Sequence, residues 1–80
     1  MSTIKDVMAL VKEHGQVPFP KNFGADGNAI ALVSVTRQAL KRAKWPSDAV
    51  AEFQRLALQN DYNNVINCCL ACFSIEAEDE

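Results

Sequence analysis

Residues 29–44 read Ala-Ile-Ala-Leu-Val-Ser-Val-Thr-Arg-Gln-Ala-Leu-Lys-Arg-Ala-Lys, and whether this run is helix or strand decides the fold class. Its first half, residues 29–35, is rich in β-branched residues and fits a short strand. Beyond Val35 the apolar positions keep a helical period, which favours one continuous helix to about Lys44. Leu32, Val33, Thr36, Ala39, Leu40 and Ala43 then form a core stripe, and Ile30, Ser34, Arg37, Lys41 and Lys44 form a second stripe facing away from it. Asn28, just after Gly27, is placed to cap the start.

Upstream, Ile4, Val7, Met8, Leu10 and Val11 recur mostly at three and four, an amphipathic helix from Thr3 to His14 with Thr3 as cap and Gly15 as terminator. Between Gln16 and Gly27, two prolines forbid regular helix and two glycines favour turns. Val17, Phe19 and Phe23 are too apolar for water and are expected to lie over the helices as a lid. Downstream, Trp45-Pro46-Ser47 breaks the long run, since proline disfavours helix for the residue before it. Ser47 is the expected cap of a third helix from Asp48 to about Leu58, with Ala49, Val50, Phe53, Leu56 and Ala57 on its core face. Asp61 is the expected cap of a fourth helix from Tyr62 to about Phe73, apolar nearly all round and hence central. The expected fold is all-α: a compact four-helix domain over residues 1–75, with a Pro/Gly-rich loop between the first two helices and an acidic disordered tail at 76–80.

Composition agrees with a folded chain. Of 80 residues, 49% are hydrophobic and 22% charged, far from the composition of disordered segments. The net charge of -2 hides an asymmetry: Glu76, Glu78, Asp79 and Glu80 close the chain, and residues 1–75 carry eight basic groups against six acidic ones. Neither balance argues for nucleic acid by charge alone. No apolar run approaches the roughly 20 residues needed to span a bilayer, and no segment reads as a signal peptide. A cytoplasmic location, with no membrane partner, is the expectation.

Residues that could carry chemistry are few. Cys68, Cys69 and Cys72 cannot form an even disulfide framework, and their spacing differs from the loop-borne pairs of structural zinc sites. They read as reduced core filler, with redox and metal roles as the rival readings. His14 is the single histidine, which removes ordinary Ser-His-Asp triads from consideration. Gly24-Ala25-Asp26-Gly27 lacks the lysine of a phosphate loop, and Asp26 would repel a phosphate. No acid, base and nucleophile assemble at convincing spacing, so the expectation is a non-enzymatic protein with no catalytic residue, cofactor, metal or small-molecule ligand.

What stands out is the basic face of the second helix. Arg37, Lys41 and Lys44, with Arg42 beside them and the apolar Ile30 and Trp45 as neighbours, form the expected partner-binding surface. Three readings compete: a solvated helix face, a surface for an acidic host protein, and a nucleic-acid contact within a helix-turn-helix arrangement. The third helix, which would be the reader, offers Asp48 and Glu52 among its polar positions, which weakens the last.

From Gly27 onward the chain resembles a group of small uncharacterised proteins encoded by phages, plasmids and other mobile elements. The matching residues are Gly27-Asn28-Ala29, Ala39-Leu40-Lys41-Arg42-Ala43, Phe53, and Asp61-Tyr62 with Val65-Ile66. Members commonly have Ser-Gly before the Asp-Tyr pair, where this sequence has Gln59-Asn60. The resemblance carries no activity or catalytic residue. It implies a small protein that binds and blocks or redirects a host macromolecule, including a defence component; the alternative is a small DNA-binding accessory protein using the same basic face.

Overall fold

The computed structural model describes residues 3–21, 23–24, 27–59 and 61–74. The expected acidic tail and the Ala25-Asp26 turn lie outside these residues. Among the described residues there are four helices: α1 (Thr3–His14), α2 (Ala29–Arg42), α3 (Ser47–Ala57) and α4 (Tyr62–Ala71). Two short strands, β1 (Val17–Pro18) and β2 (Phe73–Ser74), pair in parallel with Val17 opposite Phe73 and Pro18 opposite Ser74.

The strand pair departs from the sequence reading at both ends. The Gln16–Gly27 segment is not wholly irregular, and α4 does not run to Phe73. The α4 helix stops at Ala71 with Cys72 as its cap, and the Val17 N–H donates to the Cys72 carbonyl at 2.9 Å. Gln16 Nε2 adds a bond to the Phe73 carbonyl at 3.4 Å. Buried Val17 and Phe73 thereby satisfy backbone groups that burial would otherwise strand.

Residues 29–35 are helical, so α2 is continuous through its β-branched half. Asn28 Oδ1 accepts from the Ala31 N–H at 2.8 Å, as a cap should. The far end is shorter than expected. Lys44 adopts φ +69°, the Trp45 N–H bonds the Leu40 carbonyl at 3.1 Å, and the Lys44 N–H bonds the Lys41 carbonyl at 3.0 Å. This is a Schellman termination with a lysine where glycine is usual, and it removes Lys44 and the exposed Ala43 from the helix. In α1 the same task falls to Gly15, whose N–H bonds the Val11 carbonyl at 2.6 Å with φ +96°.

Two caps differ from expectation. Thr3 lies inside α1 as its first residue, and its hydroxyl donates to Asn64 Oδ1. Ser47 lies inside α3, whose cap position is Pro46 without a side-chain bond; Asp48 Oδ1 accepts from the Ala49 N–H at 3.0 Å. Asp61 does cap α4, accepting from the Asn64 N–H at 3.1 Å.

The core gathers Val7 and Val11 of α1, Leu32, Val33 and Leu40 of α2, Val50, Phe53 and Leu56 of α3, Val65, Cys68 and Cys69 of α4, and Cys72 at its cap. The α4 helix packs against α1, α2 and α3. It is not buried all round, however: Tyr62, Asn63 and Asn67 are exposed. Outside the helices, Phe19, Phe23 and Phe73 form a triangle with ring centroids 5.1 to 5.5 Å apart. The expected lid named Val17, Phe19 and Phe23; here Val17 is buried in β1, Phe23 is half-buried, Phe19 stays 46% exposed, and Phe73 joins the two rings.

Candidate interaction surface

Ile30, Ser34, Arg37 and Lys41 recur at four, three and four along α2, so they lie on one face. Ile30 is 68% exposed, Arg37 half-buried and Lys41 exposed. At 1.5 Å per residue, Ile30 and Lys41 are roughly 16 Å apart along the axis. Lys44 sits beyond the helix end on the Schellman turn. Its left-handed backbone sets where the ammonium emerges, so the basic stripe is two helical cations plus one carried by a turn.

Trp45 does not belong to the surface. It is 5% exposed, its Nε1–H donates to the Gly15 carbonyl at 3.2 Å, and its ring packs against His14 with centroids 5.2 Å apart. The indole ties the end of α1 to the end of α2. The sequence reading placed it outside because it adjoins three cations; the turn at Lys44 folds it inward.

Arg37, Lys41 and Arg42 divide between two depressions that share no residue, and Lys44 lines neither. Arg37 and Lys41 border a shallow groove of about 190 Å³ between α2 and α3, with Ser47, Val50, Ala51 and Gln54 as its other walls. Arg42 faces the other flank of α2, on a groove of about 310 Å³ formed with Pro18, Phe19, Pro20, Ala39 and Ala43. Among the described residues no carboxylate forms an ion pair with any of these cations. A third depression, of about 570 Å³ between α1 and α3, has the opposite sign: Glu13, Asp48 and Glu52 line it with Leu10, His14, Pro46 and Ala49. Glu52 is bonded to Arg55 one turn on, which lowers its carboxyl from the ordinary value and raises the Arg55 guanidinium.

Among the described residues no group of three His, Cys, Asp or Glu is placed to hold a metal ion. The three thiols are buried, and each bonds weakly to an oxygen: Cys68 to Asn64 Oδ1 at 3.8 Å, Cys69 to the Leu32 carbonyl at 3.8 Å and Cys72 to the Cys68 carbonyl at 3.6 Å. Desolvation pushes the Cys69 thiol up to about 11 and the Cys72 thiol to about 12, and raises Cys68 as well. Since the thiolate is the nucleophile, all three are poor ones. Ellman's reagent at pH 7.5 should titrate them only after denaturant is added; fast labelling of the native protein would place a thiol at the surface. The raised values also set a pH dependence. An unfolded thiol ionises near 9 while the native one holds its proton, so stability is full below that pH and declines as pH rises above it.

No family model, curated protein or solved structure matches the chain. No helix among the described residues is long and apolar enough to cross a membrane.

Proposed function

We propose that the chain is a non-enzymatic interaction protein of a phage or mobile element, binding an acidic surface of a host protein in the cytoplasm and so blocking or redirecting it. One observation carries this reading. Arg37 and Lys41 border a groove whose walls include the apolar Val50 and Ala51 and no carboxylate. Cations beside apolar surface suit an acidic protein partner, in which the apolar centre supplies most of the affinity and the charges set encounter and register. The DNA-binding alternative draws on the same cations, but α3, which would be the reading helix, carries Asp48 and Glu52 on its other flank, in the acidic depression it forms with α1, and these repel phosphate.

The test is the combined substitution Arg37→Glu, Lys41→Glu and Lys44→Glu. All three side chains lie off the core, so circular dichroism and thermal midpoint should stay near wild type. Partner capture by tagged protein from carrier cells, after nuclease treatment, should be abolished. Capture by the triple variant at wild-type level would return the stripe to a solvated face. Capture lost on nuclease treatment, with a log-log salt slope of about -3 for three neutralised phosphates, would favour the DNA reading instead.

A further inference from the structure

The groove on the other flank of α2 is built differently from the Arg37–Lys41 groove. Ala39 and Ala43 are one helical turn apart, and their small side chains leave a hollow of about 310 Å³ under Arg42. That volume falls at the lower end of the range of binding pockets, about 300–1,000 Å³. Opposite the alanines stands Phe19, which remains 46% exposed although its ring is held on two sides, 5.5 Å from Phe23 and 5.1 Å from Phe73. An aromatic wall fixed in this way loses little freedom when something covers it. Pro18 and Pro20 complete the wall, and neither has an N–H that covering would leave unsatisfied. Only the guanidinium of Arg42 is charged, and no described carboxylate forms an ion pair with it.

We propose that this groove docks a short acidic peptide segment of the partner: one large apolar side chain seated against Phe19, Ala39 and Ala43, with an adjacent carboxylate taken by the Arg42 fork. The planar guanidinium suits a carboxylate in a bidentate pair. A single cation falls short of the several phosphate contacts a polynucleotide needs, and one aromatic with one cation is a small anchor for a lipid surface. The proposal rests on the reading of the chain as an interaction protein, but not on the Arg37–Lys41 groove.

The experiment is a titration of the full ¹⁵N-labelled chain with a blocked peptide, Glu-Asp-Phe-Leu-Glu-Glu, followed by amide and Arg Nε–H shifts. Saturable changes are expected at Phe19, Ala39, Arg42 and Ala43. Binding should weaken about tenfold when the peptide's Phe-Leu becomes Ala-Ala and by a similar factor when its acids become Gln. In the protein, Arg42→Glu should abolish binding, and Ala43→Leu, which fills the hollow at an exposed position, should do the same with the charge retained. Arg37→Glu with Lys41→Glu should leave it unchanged, so failure here is separable from failure of the first groove. The proposal is overturned if these residues do not shift, or if the Ala-Ala peptide binds as well as the parent. It is also overturned if oligo-dT or phosphatidylglycerol vesicles shift the same residues more strongly. Deletion of residues 76–80 that raises peptide affinity would give the groove to the chain's own acids and would equally overturn it.

Discussion

Phe53→Ala should leave the protein largely unfolded at 37 °C. The side chain is fully buried in the middle of α3, a helix that packs against α1, α2 and α4, so no single neighbour can collapse into the space it vacates. Truncating a buried Phe costs about 3 to 5 kcal/mol. A domain of this size has a total stability on the order of 5 kcal/mol. Urea titration followed by far-UV circular dichroism measures the loss directly. An unchanged midpoint with full solubility would mean that α3 is rotated about its axis and that Phe53 faces water.

The second large effect is expected at Asn64, through polar chemistry. Its Nδ2 donates to the Leu56 carbonyl at 3.2 Å and the Ala57 carbonyl at 3.3 Å, the last carbonyls of α3, of which the Leu56 carbonyl also accepts from the Gln59 N–H at 3.4 Å. Its Oδ1 accepts from the Thr3 hydroxyl at the start of α1. One buried amide thus fastens three helices, and Asn64→Ala strands its partners at a cost of about 2 to 4 kcal/mol. Asn64→Asp keeps the shape but, once ionised, offers only acceptors to two carbonyls. It should be worse than alanine at pH 7. The sign follows from linkage: burial favours the protonated acid, so the deficit of this variant shrinks as pH falls through the carboxylate range and grows as pH rises. Thermal midpoints of both variants at pH 4 and pH 7 test this. If both lie within about 0.5 kcal/mol of wild type, as surface changes do, the network is ornamental.

Much of this architecture is legible in the residues. The stripes of α1, α2 and α3 follow from helical spacing, apart from the exposed Met8 and Ala43, and Asn28 and Asp61 cap as their types suggest. Three features escaped for identifiable reasons. The end of α2 depends on a left-handed Lys44, a conformation that glycine advertises and lysine does not. Trp45 looked exposed beside its cations, although an apolar residue just past a helix end is the position that a Schellman turn folds back. The β1–β2 ladder is two residues long, too short for any alternation to register. Of the surface, the Arg37–Lys41 pair was readable from its spacing. The Arg42 groove was not, because the loop that walls it is brought to α2 by that ladder.

The bond between Thr3 and Asn64 joins residues 61 positions apart, and α1 packs only on α3 and α4 among the helices. A ribosome makes α1 before the other helices. At about 5–20 residues per second, α1 waits roughly 3 to 12 s before the segment that receives Thr3 is synthesised. During that time its valine stripe has no surface to cover it, and a twelve-residue helix is marginal alone in water. The earliest-made of these helices is therefore among the last to become ordered, and the nascent chain exposes Val7 and Val11 to chaperones until α3 and α4 arrive.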